Sequence, residues 1–339
     1  MPDAIWNGSA IGHNWSSVAS SVDGSKLVAV QNGGQIYTSN NGGTNWTAAP
    51  TYGANWTSVA SSADGSKLVA VGTSGYIVIS TDSGATWSWN YLDASSVASS
   101  ADGSKLVAVG GYQYSGGGSY NVYTSADSGT NWTQQTYFNT LDFSPPSVAS
   151  SADGSRLVAF FDGFYTSTDG GTNWADHSSG SWGTSGDSVA SSTDGSKLVG
   201  TYGGNSVFTS TDGGTNWTEH DIPFNMDFRS VASSADGSKL VAVGQGQIYT
   251  SNDSGATWNA RDSYRNWSSV ASSADGSKLV ATVKGDLIYL STDSGLTWHP
   301  SKDPTSSYLG QQYSAIELQY VGNGLFLPIS HEGSYPSVY

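Results

Sequence analysis

An eight-residue motif, Ser80–Trp87 with the sequence STDSGATW, recurs along the chain and constrains its fold more than any other feature. A second motif, SVASSADGSKLVAV, alternates with it. We call the first motif the box; its other copies end at Trp46, Trp132, Trp174, Trp217, Trp258 and Trp298. The Asp-Gly corner of the second motif falls at Asp23, Asp64, Asp102, Asp153, Asp194, Asp236 and Asp275. Copies spaced by about forty residues predict one supersecondary unit repeated around a closed or stacked array.

Each repeat divides into four short predicted strands. The segments SVASS and KLVAV are apolar and β-branched, and the Asp-Gly-Ser between them is a strong hairpin signal. A third segment, such as GQIYTS, alternates apolar and polar residues as a half-buried strand does. The box follows as a second turn, in which the Asp side chain accepts hydrogen bonds from backbone amides and Gly allows positive φ. Its Trp opens a fourth strand, and four antiparallel strands per repeat are typical of a β-propeller blade.

The boxes resemble the Asp-box, or bacterial neuraminidase, repeat, and the resemblance extends over nearly the whole chain. It implies an all-β propeller in a family that includes sialidases, xyloglucan-type glucanases, photosystem assembly factors and sugar-binding lectins. It also implies that the box is a turn on the face away from the active sites of that family. Because one fold hosts many activities, the resemblance is specific for fold and not for function.

The two ends of the chain bear on the number of blades. Trp6 precedes Trp15 by nine residues, as Trp258 precedes Trp267, so residues 3–8 are predicted to be an orphan fourth strand. Residues 314–327 have the length of the hairpin motif, and the terminal SYPSVY offers a third strand. We therefore expect a single domain over residues 1–339 with eight four-stranded blades, the N-terminal strand closing the C-terminal blade. The alternative is seven blades followed by a C-terminal extension.

Composition restricts the partners that such a chain can have. There is no Cys, and the five His residues are scattered, so we expect neither a metal site nor a cofactor. The formal net charge of −15 argues against nucleic acid and anionic membrane surfaces as partners. No apolar run approaches the ~18 residues of a membrane span. Although no signal peptide is recognisable, we expect an extracellular or cell-surface protein.

Differences between the repeats point to a binding surface. The hairpin and box turns barely change from one repeat to the next, and in a propeller they share one face, which we call the hairpin face. The second-to-third-strand loops and the blade-to-blade connections vary in length and composition, and they share the opposite, variable face. One uniform face and one variable face indicate a scaffold that presents a binding surface. Drift in unconstrained loops is the alternative.

The variable face is predicted to be aromatic. Trp15, Trp56, Phe228 and Trp267 directly precede the first strand of their blades, and we expect them to form part of a ligand surface. Aromatic faces beside Asp, Asn and Gln suit carbohydrate, whose ring faces stack while its hydroxyls form hydrogen bonds. The alternative for each ring is a wedge between blades. Further aromatic residues predicted on this face are Trp89, Tyr91, Tyr112, Tyr114, Tyr120, Tyr137, Phe138, Trp182, Tyr202 and Tyr264.

Charged residues on consecutive connections form a second candidate site. The catalytic candidates are Glu219, His220, Asp221, Arg229 and Asp262, which could act as general acids and bases. An anionic ligand would instead be held by Arg229, Arg261, Tyr264 and Arg265. A solvated mixed-charge rim is the alternative to both. A two-carboxylate glycosidase would draw its pair from Asp93, Asp142, Asp162, Asp187 and Asp286.

These patterns favour a carbohydrate-binding, lectin-like or adhesion propeller with a glycan or polysaccharide as its partner. A polysaccharide-active hydrolase or lyase that uses carboxylates of the variable face is the first alternative. A scaffold that binds another protein is the second. A sialidase is disfavoured, because the chain has four Arg residues and Arg156 lies in a repeat hairpin.

Overall fold

The computed structural model describes residues 13–73, 75–114, 117–140, 146–177, 186–202, 206–222, 227–301, 315–322 and 325–332. The chain divides into two compact units, Met1–Pro304 and Thr305–Tyr339. In the second unit the described residues form one antiparallel hairpin of β27 (Ala315–Gly322) and β28 (Leu325–Glu332). All of the elements that the structure describes are β-strands, as predicted. The single domain over residues 1–339 stays a prediction.

Residues 13–301 form seven four-stranded antiparallel blades, numbered here in chain order. Blade 1 comprises β1 (Trp15–Ser20), β2 (Leu27–Gly34), β3 (Ile36–Ser39) and β4 (Thr47–Ala48), and blade 2 comprises β5 (Ala54–Ser61), β6 (Leu68–Gly72), β7 (Tyr76–Ser80) and β8 (Ser88–Tyr91). Blade 3 comprises β9 (Ser96–Ser99), β10 (Leu106–Tyr114), β11 (Gly117–Ser125) and β12 (Thr133–Thr140), and blade 4 comprises β13 (Ser147–Ser150), β14 (Leu157–Phe160), β15 (Phe164–Ser167) and β16 (Ala175–Asp176).

The remaining blades follow the same order with one difference. Blade 5 comprises β17 (Gly186–Ser191), β18 (Leu198–Tyr202), β19 (Ser206–Ser210) and β20 (Thr218–Asp221). Blade 6 comprises β21 (Asp227–Ser233), β22 (Leu240–Ser251) and the first part of β23 (Asn259–Ser272), and β22 supplies both its second and its third strand. The end of β23 then opens blade 7, which continues with β24 (Leu279–Val283), β25 (Ile288–Ser291) and β26 (His299–Pro300).

The Asp-Gly corner is a self-contained turn. In blade 2, Oδ1 of Asp64 accepts the backbone N–H of Ser66 at 2.9 Å and the hydroxyl of Ser62 at 2.6 Å. Gly65 has a φ of 66°, a conformation that a residue with a Cβ seldom adopts. The Oγ of Ser62 in turn accepts the backbone N–H of Lys67 at 3.0 Å. The polar groups of the corner are thus hydrogen-bonded to one another, which explains why the same residues recur at the corner of every blade.

The box is also a turn, as predicted. Oδ1 of Asp82 accepts the backbone N–H of Thr86 and the hydroxyl of Ser80, both at 2.8 Å. The Oγ of Ser80 accepts the N–H of Gly84 at 2.8 Å, and the indole of Trp87 donates to the carbonyl of Gly84 at 3.0 Å. The carboxylate and the indole therefore hold the turn itself.

A closed circle of backbone hydrogen bonds links the blades. The residue before each Asp-Gly corner donates its N–H to the carbonyl of its counterpart in the next blade, at 2.7–2.8 Å. The circle runs through Val22, Ala63, Ala101, Ala152, Thr193, Ala235 and Ala274, and it returns from Ala274 to Val22. Blade 7 thus contacts blade 1 through the same bond that joins every other pair of neighbours.

The prediction of eight blades is wrong, because seven blades close the ring in residues 13–301. At the seam between blades 7 and 1, the N–H of Val18 donates to Oγ of Ser269 at 3.2 Å, and the indole of Trp15 donates to the carbonyl of Asp286 at 3.1 Å. These contacts occupy the place where an eighth blade would stand. The predicted strand over residues 3–8, with Trp6, lies outside the described residues. The predicted all-β propeller is confirmed.

The aromatic residues that precede the first strands belong to the core. Trp15 is 2% exposed, and Trp56, Phe228 and Trp267 are 0% exposed. In each case the pairing of the first two strands shifts its register between this residue and the one two positions later. Such a bulge re-aims a side chain, and here the ring packs among the apolar residues of neighbouring blades. The predicted exposure of these four rings is therefore wrong, and they are wedges between blades.

Candidate functional site

A central cavity of about 600 Å³ is lined by residues from all seven blades. Its wall includes Thr73 from a second-to-third-strand loop and Asp93 and Pro146 from blade-to-blade connections. The cavity therefore lies toward the variable face.

Seven serines, one from the first strand of each blade, line this cavity; we call them the serine ring. Each Oγ accepts the backbone N–H of the residue after its counterpart in a neighbouring blade, at 3.1–3.2 Å. The seven are Ser17, Ser58, Ser96, Ser147, Ser188, Ser230 and Ser269. The bonds satisfy amides on the free edges of the innermost strands, where unpaired donors would otherwise remain.

Two charged side chains stand among these hydroxyls. Asp93 lines the cavity, and its buried Oδ2 has no hydrogen-bond partner among the described residues. Arg229 lines it three blades further round the ring, where its guanidinium pairs with the carboxylate of Asp227 at 2.7 Å and donates to Oδ1 of Asn266 at 2.7 Å. The cavity thus combines hydroxyls with a guanidinium whose charge is partly balanced, while the unpartnered Oδ2 of Asp93 is buried in the protein.

An exposed aromatic cluster lies on blade 2 and the connection that leads into it. Tyr52, Tyr76, Trp89 and Tyr91 are 83%, 45%, 40% and 69% exposed, and we call them the aromatic platform. The ring centroid of Trp89 lies 6.2 Å from that of Tyr52 and 5.8 Å from that of Tyr76, which lies 6.3 Å from that of Tyr91. Four rings in contact, all open to solvent, form a continuous apolar surface.

Strand pairing and one glycine position the platform. Tyr76 pairs with Tyr91 and Val78 with Trp89 across β7 and β8, so the rings share one side of the outer edge. Gly75 has a φ of 75°, and a Cβ there would lie 2.8 Å from the ring of Tyr91. Trp89 also contacts the buried Trp56, with ring centroids 5.9 Å apart, and this contact anchors the platform to the core.

His220 and Arg261 occupy a repeated structural position rather than a catalytic one. Nε2 of His220 lies 2.8 Å from Oγ1 of Thr209, and Nε of Arg261 donates to Oγ1 of Thr250 at 2.9 Å. Gln135 and His177 occupy the same position, three residues after the box Trp, and form side-chain hydrogen bonds with Thr124 and Thr166. In four consecutive blades, therefore, this position bonds the fourth strand to a threonine of the third. Burial lowers the pKa of His220, and the nearby carboxylate of Asp253 opposes that shift.

The remaining charged candidates form separate pairs. Glu219 accepts the hydroxyl of Ser206 at 2.7 Å, and Nε of Arg265 lies 3.5 Å from Oδ2 of Asp262. The guanidinium of Arg265 also stacks over Tyr289 at 4.5 Å, and Tyr264 is exposed. Of these candidates Arg229 lines the central cavity, and the side chain of Asp221 lies outside the described residues.

The three described carboxylates among those proposed for a glycosidase lie in different parts of the ring. Asp93 lines the cavity, while Oδ1 of Asp162 accepts the hydroxyl of Tyr165 at 3.1 Å and Oδ2 of Asp286 accepts that of Tyr289 at 3.4 Å. The side chains of Asp142 and Asp187 lie outside the described residues. In the described part of the chain no group of three or more His, Asp or Glu residues is placed to hold a metal ion. That part also contains no helix long and apolar enough to span a membrane.

Comparison with known proteins agrees with this architecture. Residues 86–230 match the model of the DUF6242 beta propeller domain. The fold is that of a β-propeller. A comparison with curated protein sequences finds no match.

Solved structures with a similar fold include two GH74 proteins and YCF48. The GH74 xyloglucanase from Xanthomonas campestris is 16% identical, with a TM-score of 0.65 over 84% of this chain and 52% of that chain. An ancestral GH74 enzyme is 16% identical, with a TM-score of 0.70 over 96% of this chain and 50% of that chain. YCF48 from Cyanidioschyzon merolae is 15% identical, with a TM-score of 0.63 over 83% of this chain and 96% of that chain. This propeller spans about half the length of the GH74 proteins.

Proposed function

We propose that this propeller binds carbohydrate through the aromatic platform. The observation that carries the proposal is the contact of four exposed rings, Tyr52, Tyr76, Trp89 and Tyr91, on blade 2 and the connection that leads into it. The apolar faces of pyranose rings stack on such surfaces, while Tyr hydroxyls at the edge remain available to sugar hydroxyls. Contiguous exposed apolar surface on a folded protein often marks a binding site, which also favours a ligand at this place.

The shape of the platform favours a chain rather than an isolated sugar. Successive rings with centroids 5.8–6.3 Å apart run from Tyr52 through Trp89 and Tyr76 to Tyr91 along the outer edge of the blade. No charged side chain belongs to β8, whose sequence is SWNY. A neutral or weakly charged polysaccharide fits this surface best, because the chain carries a net charge of −15 that repels polyanions.

A binding experiment with two matched variants tests the proposal. Binding to xyloglucan, xylan, cellulose and chitin is measured by affinity electrophoresis and pull-down for wild type, Trp89→Ala and Tyr137→Ala. Tyr137 is an exposed aromatic residue on the outer strand of blade 3, outside the platform. Trp89→Ala is expected to lose about 1–3 kcal/mol of binding free energy, and Tyr137→Ala to lose none. Equal binding by all three proteins, or no binding to any of the polysaccharides, would sink the proposal.

The same samples separate the two alternatives. Release of reducing ends from a bound polysaccharide would identify a hydrolase, and a protein captured in place of glycan would identify an assembly scaffold. We further propose, from the repeated hydrogen bonds of the box, that the propeller is of the Asp-box class. We also propose that it acts outside the cell or on its surface, where polysaccharides are encountered.

A further inference from the structure

The serine ring uses only an acceptor position of each hydroxyl on the fold. Each Oγ accepts one backbone N–H from a neighbouring blade, which is a role for an oxygen lone pair. Among the described residues, no protein acceptor takes the O–H of any of these serines. A serine hydroxyl donates one hydrogen bond as well as accepting, so seven O–H donors are left around one cavity.

The cavity has the volume of a small-molecule site. Its approximately 600 Å³ falls within the range of about 300–1,000 Å³ that is usual for ligand pockets, and it exceeds what a single ion would fill. Its wall mixes polar and apolar surface, and hydroxyl-bearing residues of several blades, among them Ser16, Thr57, Ser95 and Ser268, accompany the serine ring. A ligand that matches this wall carries oxygen atoms on the part of its periphery that faces the serine ring.

Arg229 adds a charged donor to these hydroxyls. Its guanidinium carries five N–H groups, of which Nε and one N–H of Nη2 donate to Asp227 and one N–H of Nη1 donates to Asn266. Two N–H groups remain for the oxygen atoms of a ligand in the cavity.

We propose that the central cavity binds one polyhydroxylated ring of monosaccharide size, either a sugar or a cyclitol. Its oxygen atoms accept hydrogen bonds from the serine ring and Arg229. This site is separate from the aromatic platform and does not depend on the platform binding polysaccharide.

Isothermal titration with soluble ligands tests the cavity. The probes are glucose, galactose, mannose, xylose and myo-inositol, and the proteins are wild type, Arg229→Ala, Thr73→Trp and Trp89→Ala. Thr73 lines the cavity from an exposed loop position, so a Trp there blocks the cavity without entering the core. At least one probe is expected to bind wild type, with an affinity lowered about tenfold or more in Arg229→Ala and abolished in Thr73→Trp.

The Trp89→Ala variant distinguishes this inference from the proposed function. It is expected to bind the small probe as wild type does, even where it has lost polysaccharide. Thermal melts of the variants confirm that each remains folded. The inference is overturned if no probe binds wild type, if both cavity variants bind normally, or if Trp89→Ala abolishes binding of the small probe.

Discussion

Four serines of the boxes adopt a backbone conformation that glycine usually takes. Ser83, Ser128, Ser254 and Ser294 have φ angles of 58–60°. The side-chain ammonium of the hairpin lysine in the preceding blade donates to each Oγ, for example Lys197 to Ser254 at 3.3 Å. The boxes of blades 1, 4 and 5 have glycine instead, at Gly42, Gly170 and Gly213. A hydrogen bond between blades thus offsets part of the left-handed strain.

Substitution of one of these serines separates strain from hydrogen bonding. Ser254→Ala keeps a Cβ in the left-handed conformation and loses the bond to Lys197, whereas Ser254→Gly loses the bond and relieves the strain. We expect the glycine variant to be more stable than the alanine variant by about 1 kcal/mol, as judged by urea denaturation. An alanine variant as stable as the glycine variant would show that the turn is not strained.

The aspartates of the corners and boxes link stability to pH. Hydrogen bonds from serine or threonine hydroxyls and from backbone amides lower the pKa of the carboxyls at all seven corners and in six boxes. The pKa of Asp64 and Asp82, for example, falls from 3.8 to about 2. The folded state therefore holds these protons less tightly than the unfolded chain does.

The sign of the pH dependence follows from that difference. Above about pH 4 the carboxyls are ionised in both states, so their contribution to stability is complete and independent of pH. As the pH falls from about 4 to about 2 the unfolded chain takes up protons first, and stability is lost. Because thirteen such carboxyls act together, unfolding midpoints in urea are expected to drop steeply over this interval. A midpoint that stays constant down to pH 2 would contradict the expectation.

At the scale of elements, the strands and turns could be predicted from the sequence because each is a local pattern. The Asp-Gly corner and the box satisfy their own polar groups within a few residues, as at Asp64 and Asp82. The exposure of Trp56 and Trp267 could not be predicted, because it depends on a register shift between two strands. An aromatic residue just before the first strand of a blade has the same sequence pattern whether its ring points to solvent or packs between two blades.

The buried wedges and the exposed platform give opposite results on truncation. Trp267→Ala opens a cavity between blades 6 and 7 and is expected to cost about 3–5 kcal/mol of unfolding free energy. Trp89→Ala, at a side chain that is 40% exposed, is expected to cost distinctly less. Chemical denaturation of both variants measures the difference. Equal losses would mean that the platform is part of the core.

Part of the candidate site was visible in the sequence at this scale and part was not. Trp89 and Tyr91 were predicted on the variable face, but Tyr52 and Tyr76 were missed, because each is a lone tyrosine at a strand or connection without a repeated pattern. The serine ring was missed too, although it had a signal. The residue before Val-Ala-Ser-Ser is serine in all seven copies, an identity that a strand pattern alone does not require.

At the scale of the whole molecule, the number of blades could not be predicted from repeats. The spacing of repeats along the chain gives the size of a blade. The number of blades that closes the ring depends instead on the angle between neighbouring blades. Here the seam of Ala274 with Val22 repeats that of Val22 with Ala63, so residues 13–301 suffice to close the ring.

Removal of residues 305–339 tests this closure. Since all seven seams lie within residues 13–301, the truncated chain is expected to unfold in one cooperative transition at the melting temperature of the full chain. Differential scanning calorimetry of the two proteins makes the comparison, and Val18→Pro, which removes a donor at the seam of blades 7 and 1, serves as the destabilised control. A truncated chain that melts much earlier would mean that the C-terminal residues take part in closure.

The closed circle of backbone hydrogen bonds also fixes the number of blades at seven. A duplicated repeat adds four strands to the chain, but the ring can include them only if the angle between blades changes at every seam at the same time. Seven serines, seven corner glycines and seven amide bonds would all have to accept a new angle together. A duplicated blade is therefore expected to be left outside the circle, which makes the inserted copy free to change while the original seven keep their geometry.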